Sequence, residues 1–164
     1  MCALQFRQQG FTLLEILVAV AIIAIVSGMA VVRFESSDGR RAAQAGEQMA
    51  MLLDAARNEA IFSGRSVAIS SDGLGYQFWG ADGANGEWIV LPRDEVLVAK
   101  RLPDGVAWKA QRVNDRPQNI GQRIVFPPDG VIDPFTIELA AGDSVVRLEA
   151  DVMGRIEVVD ASRS

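Results

Sequence analysis

Hydrophobic positions along the chain fall into three patterns. From Phe11 to Val32 the sequence is apolar on every side, with one charged residue, Glu15. No polar stripe recurs there at helical spacing, so a helix built from it would be greasy all round. Its 22 residues would span roughly 33 Å, about the thickness of a bilayer's hydrocarbon core. From about Arg40 to Phe62 the pattern becomes amphipathic. Ala42, Ala45, Met49, Leu52, Ala56 and Ala60 recur three or four residues apart, the period of one helix face. Ser36-Ser37 and Gly39 predict a bend or break between the two segments, and Gly64 a C-terminal stop.

Beyond Gly64 the period drops to two. The segments 66–70, 76–79, 87–91, 95–102, 105–110, 123–126, 135–141, 144–152 and 155–161 read as strands between Gly, Asp, Asn and Pro punctuation. Hairpins are expected around Gly142-Asp143 and Met153-Gly154. Residues 80–87 and 111–122 lack periodicity and are expected to be surface loops. The predicted class is α+β, with a long N-terminal helix packed on an antiparallel β-sheet or sandwich. The alanine-rich stripe of the second segment is expected to pack on that sheet rather than on another subunit, with Met49 and Met51 as core filler. Arg40, Arg41, Glu47, Asp54, Arg57 and Glu59 would form its solvated face.

Composition narrows the chemistry. The 164 residues carry a net charge of -5, no histidine and one cysteine, Cys2. The charge gives no footprint for nucleic-acid binding. Without histidine the commonest general base and zinc ligand are missing. A lone cysteine closes no internal disulfide and builds no thiolate cage. Asp82, Asn85 and Glu87 in the glycine-rich loop do not match an EF-hand spacing and read as a turn rather than a cation site. The stretch Asp72-Gly73-Leu74-Gly75 has neither a P-loop nor a dinucleotide pattern. No catalytic constellation emerges, and neither enzymatic activity, metal nor cofactor is expected.

The apolar run admits several readings. It suits a membrane anchor. It also suits a secretory signal, with Gly28-Met29-Ala30 as a small-x-small cleavage site and a soluble binding module released after Ala30. A buried core helix fits less well, because a domain of this size rarely wraps so uniformly apolar a helix. Glu15 separates these readings. A charge in a membrane segment costs ~2.5–3.5 kcal/mol at mid-depth and less near an edge, so an acid there asks for a partner. Arg7 on one side and Arg33, Arg40 and Arg41 on the other leave the orientation undecided by charge.

Gly10 followed by Phe11-Thr12-Leu13-Leu14-Glu15 and the apolar tract resembles the processing site of type IV pilins and pseudopilins. The resemblance implies a type IV pilin-like fold and a leader, residues 1–10, that a prepilin peptidase removes between Gly10 and Phe11. It implies N-methylation of Phe11 and a filament-assembly role for Glu15. It further implies a single transmembrane helix over 11–32, its periplasmic continuation over 33–63, and a periplasmic β-rich domain over 64–164. The chain would then sit in the bacterial inner membrane. The segment "LLDAARNEAIFSGRSVAISSDGLGYQFW", 52–79, is similar to the minor pseudopilin H group of type II secretion, which shares it with FimT/FimU-type minor pilins. That group implies a structural subunit at or near a pseudopilus tip, taking part in export of folded proteins across the outer membrane. Its implied partners are the major shaft pseudopilin, the other minor tip subunits and the inner-membrane secretion platform. A minor pilin of a type IV pilus is the alternative.

Overall fold

The structure is a computed structural model that describes residues 13–81, 86–91 and 96–160, and of residues 26–36 and 160 the backbone alone. One helix, α1 (Leu13–Ser63), precedes ten strands. These are β1 (Val67–Ser71), β2 (Gly75–Ala81), β3 (Trp88–Val90), β4 (Lys100–Arg101), β5 (Val106–Val113), β6 (Arg116–Gln118), β7 (Ile124–Phe126), β8 (Phe135–Ala141), β9 (Ser144–Ala150) and β10 (Ile156–Asp160). The chain divides into two compact units, with the boundary between Ser36 and Ser37.

The second unit is the α+β domain expected from the sequence. Its strands form two antiparallel sheets. One runs β3-β2-β1-β7, with β4 also paired to β2; the other runs β10-β9-β8-β5-β6. A single hydrophobic cluster joins α1 to both sheets. Phe126 of β7 meets Phe135 of β8 edge to face at 6.0 Å, a contact between the sheets.

The buried face of α1 is Ala42, Ala45, Met49, Leu53, Ala56 and Ala60. The expected stripe is present with one correction: Leu53, not Leu52, is the fully buried leucine. Four residues after Met49 returns to the same face, whereas Leu52 lies at the margin and is half-buried. Met51 is also corrected. It is 71% exposed, while Met49 is core. Arg57, expected to be solvated, folds onto the domain. Its Nε donates to the Gly130 carbonyl at 3.3 Å, and its guanidinium lies over Gly154, where a Cβ would overlap it.

The sequence predicts a break at Ser36-Ser37 and Gly39, yet α1 is helical through all three. A glycine inside a helix costs about 1 kcal/mol relative to alanine, less than tertiary packing supplies. Asp38 packs against Gly142 in the β8–β9 turn, where a Cβ would lie 2.6 Å from its Oδ2. Asp38 also pairs with Arg41 at 3.2 Å.

Most strands fall where alternation places them. Residues 95–102 are the main exception: among the described ones only Lys100–Arg101 form a strand. Val96, Leu97 and Val98 do alternate outward, inward, outward, but a strand needs a neighbour to pair with, and β2 reaches only Lys100 and Arg101. The expected loop at 111–122 instead contains the end of β5 and all of β6. They join through Asn114 and Asp115 at φ 50° and 59°, the paired positive φ of a two-residue type I′ hairpin. The Gly142-Asp143 hairpin is as tight as expected, with Ala141 facing Ser144. The C-terminal hairpin is longer than expected. Its pairing closes at Ala150 and Ile156, and Asp151 organises the loop by accepting from the Met153 and Arg155 amides at 2.9 Å each.

Two glycines of α1 differ in what surrounds them. A Cβ at Gly46 would lie 2.9 Å from Val146 and 3.2 Å from Val158, whereas one at Gly39 meets only Ser144 Oγ at 3.6 Å. Gly39→Ala is expected to raise stability by about 1 kcal/mol through helix propensity. Gly46→Ala gains the same propensity and loses about 1–3 kcal/mol to overpacking against stiff β-branched side chains. Thermal unfolding followed by circular dichroism should show a higher midpoint for the first variant and a lower one for the second.

Candidate functional site

Of the residues singled out in the sequence, Gly10 and Phe11 lie outside the described residues. Glu15 lies in the described part of α1. Every residue from Leu13 to Ile25 is exposed. Nine of them are large aliphatics, from Leu13 at 84% to Val18 at 47%. Covering surface of that extent is worth on the order of 10–20 kcal/mol, at about 1.5–3 kcal/mol for each side chain fully buried. Contiguous apolar surface on this scale marks a protein or membrane contact. Among the described residues no helix is long and apolar enough to cross a membrane.

The glycine-rich stretch 72–75 is the loop of the β1–β2 hairpin, closed by the pair Ser71 and Tyr76. The Asp72 carboxylate accepts from the Leu74 amide at 2.9 Å and the Gly75 amide at 2.6 Å. Ser71 Oγ accepts from the Gly73 amide at 3.0 Å and donates to the Gly75 carbonyl at 2.6 Å. These amides are spent on the loop's own side chains, so the loop offers no cradle to a phosphate. Of the candidate cation loop, Asp82 and Asn85 fall outside the described residues and Glu87 is exposed. Among the described residues no cluster of three acidic, histidine or cysteine side chains is placed to hold a metal.

Sequence reasoning missed two side chains that shape the surface. Gln111 is buried at 2% exposure. Its amide nitrogen reaches the Gln122 carbonyl at 3.1 Å and the Asn119 carbonyl at 3.4 Å, tying the 119–122 turn to β5. A lone glutamine in a polar stretch gave no signal of this. Arg123 stacks on the Trp79 ring at 4.1 Å, with Trp88 at 5.7 Å. The two tryptophans were visible, but only the sheet brings the arginine onto them.

A long N-terminal helix, its first part exposed and apolar and its last part laid on antiparallel sheets, defines a pilin-like subunit. Residues 45–154, about two-thirds of the chain, match the family described as type II transport protein GspH. Residues 5–31 match the prokaryotic N-terminal methylation motif. The chain belongs to the GspH family, whose members serve as minor pseudopilins of type II secretion. Type II secretion system protein H of Aeromonas hydrophila is 29% identical over 174 aligned residues, covering 93% of this chain and 94% of that one. The minor pseudopilin EpsH of Vibrio cholerae superposes with a TM-score of 0.62 at 17% identity, over 76% of this chain and 99% of that one. The type IV minor pilin FimU of Pseudomonas aeruginosa gives 0.51 at 19% identity, over 76% and 92%. At such identities these two likenesses are of fold alone. The fold is therefore common to pseudopilins and minor pilins, and the family match separates the two readings.

The hairpin at Asp72 has a pH signature. Hydrogen bonds from the Leu74 amide first and the Gly75 amide second hold this carboxyl below the ordinary aspartate value of 3.8, with a smaller pull from Arg101. A carboxyl depressed in the folded state contributes stability above its unfolded value and loses it as pH falls through the folded one. Asp72→Asn should therefore flatten the pH dependence of unfolding below about pH 4, and proton titration by NMR should place Asp72 below the ordinary aspartate value.

Proposed function

We propose that this minor pseudopilin is made with residues 1–10 as a leader, cut between Gly10 and Phe11 by a prepilin peptidase, and N-methylated on Phe11. Residues 11–32 then hold it in the inner membrane, 33–63 continue the helix into the periplasm, and 64–164 form the periplasmic β-rich domain. The observation that carries this reading is the coincidence of the methylation motif over 5–31 with an exposed apolar helix whose one charge over residues 13–25 is Glu15.

Hydrolysis of the Gly10–Phe11 amide leaves a carboxylate on Gly10 and a cationic amine on Phe11. Glu15 of one subunit meets the Phe11 amine of a neighbour. At about 4 Å and an effective dielectric near 20 the attraction is roughly 4 kcal/mol before desolvation. Desolvation removes much of that, so the pair acts chiefly as a register device that fixes the height of one helix against the next. The subunit sits at or near the pseudopilus tip, in contact with the major shaft subunit, the other minor subunits and the inner-membrane platform. Growth of that filament drives folded proteins through the outer membrane.

Mass analysis of the protein purified from a host with its peptidase should find a chain beginning at N-methyl-Phe11. A chain starting at Met1 or at Val31 would refute the processing step. Glu15→Ala should leave membrane insertion intact and lower recovery in sheared pseudopili; normal filament incorporation and secretion by this variant would sink the pairing argument. Deletion of the subunit should abolish export of type II substrates and leave type IV pilus-dependent motility unchanged, the reverse pattern being that of a minor pilin.

A further inference from the structure

The outer face of the sheet β3-β2-β1-β7 differs in character from the rest of the surface. Along β2, Phe78 turns into the core and its neighbours Gln77 and Trp79 point outward. The Trp79 indole donates to Ser70 Oγ at 2.8 Å, and one of its faces is occupied by the Arg123 guanidinium. Stacked there, Arg123 keeps its full charge and its in-plane N–H donors. Trp79 also walls a cleft of about 570 Å³, together with Tyr76 and Gln77, and Lys100 and Arg101 line its β4 side.

The charge of this region runs against that of the chain. In a protein of net charge -5 the cleft and its tryptophan wall gather Lys100, Arg101 and Arg123. The single carboxylate among the described lining residues is Asp72, already committed to its own turn. Among the described residues none of the three cations lies within ion-pair distance of a carboxylate. Strand β4 pairs with β2 along one side only, Lys100 facing Tyr76 and Arg101 facing Gly75. Its other edge has no strand partner among the described residues.

These features select the ligand. Adjacent residues of a strand project to opposite sides, so Lys100 and Arg101 do not converge on one compact anion, as a phosphate site requires. The indole face of Trp79 that Arg123 covers is closed to a sugar ring. An extended chain with several carboxylates meets separated cations and an open strand edge together, as in strand addition. We propose that this cleft docks an extended acidic peptide segment of a partner protein. Carboxylates on one side of the segment pair with Arg101 and Arg123, those on its other side with Lys100, which shares the side of Tyr76, and its backbone runs along the free edge of β4. The inference concerns the domain from Ser37 onward and stands apart from the processing of Gly10–Phe11.

The test is fluorescence anisotropy with the full-length chain in neutral detergent and labelled octaglutamate as the probe, with labelled octaglutamine as the uncharged control. Octaglutamate is expected to bind, to weaken as salt is raised and to quench tryptophan emission, while octaglutamine does not bind. Lys100→Glu with Arg101→Glu, both exposed positions, should weaken binding about tenfold or more. Lys109→Glu, an exposed cation on the other sheet, should leave it unchanged. Absence of octaglutamate binding, or an equal loss from Lys109→Glu, would overturn the proposal. So would equally tight octaglutamine binding, or displacement by millimolar inorganic phosphate. Displacement by phosphatidylglycerol but not phosphatidylcholine vesicles would likewise overturn it, in favour of a lipid headgroup site.

Discussion

The approach distance between α1 and the sheet β10-β9-β8-β5-β6 governs the domain. At Gly46 the helix backbone comes so near Val146 and Val158 that no side chain fits between them. Ala42, Ala45, Ala56 and Ala60 keep the rest of that face small, while Met49 and Leu53 fill the space near its centre. Small residues permit close packing, and close packing raises the number of dispersion contacts per residue. The turns follow from the same geometry. Gly142 accommodates Asp38, and Gly130 and Gly154 receive Arg57, so both hairpin ends of that sheet are tied to the helix that covers it.

One helix serves two environments in sequence. Its last part carries a narrow stripe of small apolar residues that the domain's own sheets bury. Its first part carries large aliphatics from Leu13 to Ile25, all exposed. The hydrophobic effect makes the first part a demand for cover from outside the chain, and a family of filament subunits anchored by such helices meets that demand. Glu15 is the one charged residue in that described apolar part.

Carboxylates elsewhere do local structural work. Asp72, Asp129 and Asp151 each accept backbone amides of their own turns, Asp129 from Val131 at 3.0 Å. Glu138 pairs across strands with Arg147 at 3.0 Å. These four acids are thus turn and surface devices, and the cations gathered around Trp79 stand out against them. That grouping was not legible beforehand, because Arg123 lies 44 positions from Trp79, at the start of a separate predicted strand.

By itself the sequence determined what depends on neighbours a few residues apart. The greasy run with its acid, the helical stripe ending at Gly64, the alternation of β2, β5 and β8, and the glycine-led turn at Gly142 all follow from local sterics and periodic burial. The same short-range reading pointed to the family through the residues around Gly10, Phe11 and Glu15 and through 52–79. Tertiary structure alone decided the questions set by distant partners. It carried α1 through Gly39, because Asp38 gains contacts with the β8–β9 turn that outweigh one glycine's cost. It left 96–99 without a ladder, because alternation makes a strand only where another strand lies alongside. It placed Arg57 over Gly154 and Arg123 over Trp79, since a long cationic side chain goes where folding brings a glycine or an indole within its reach.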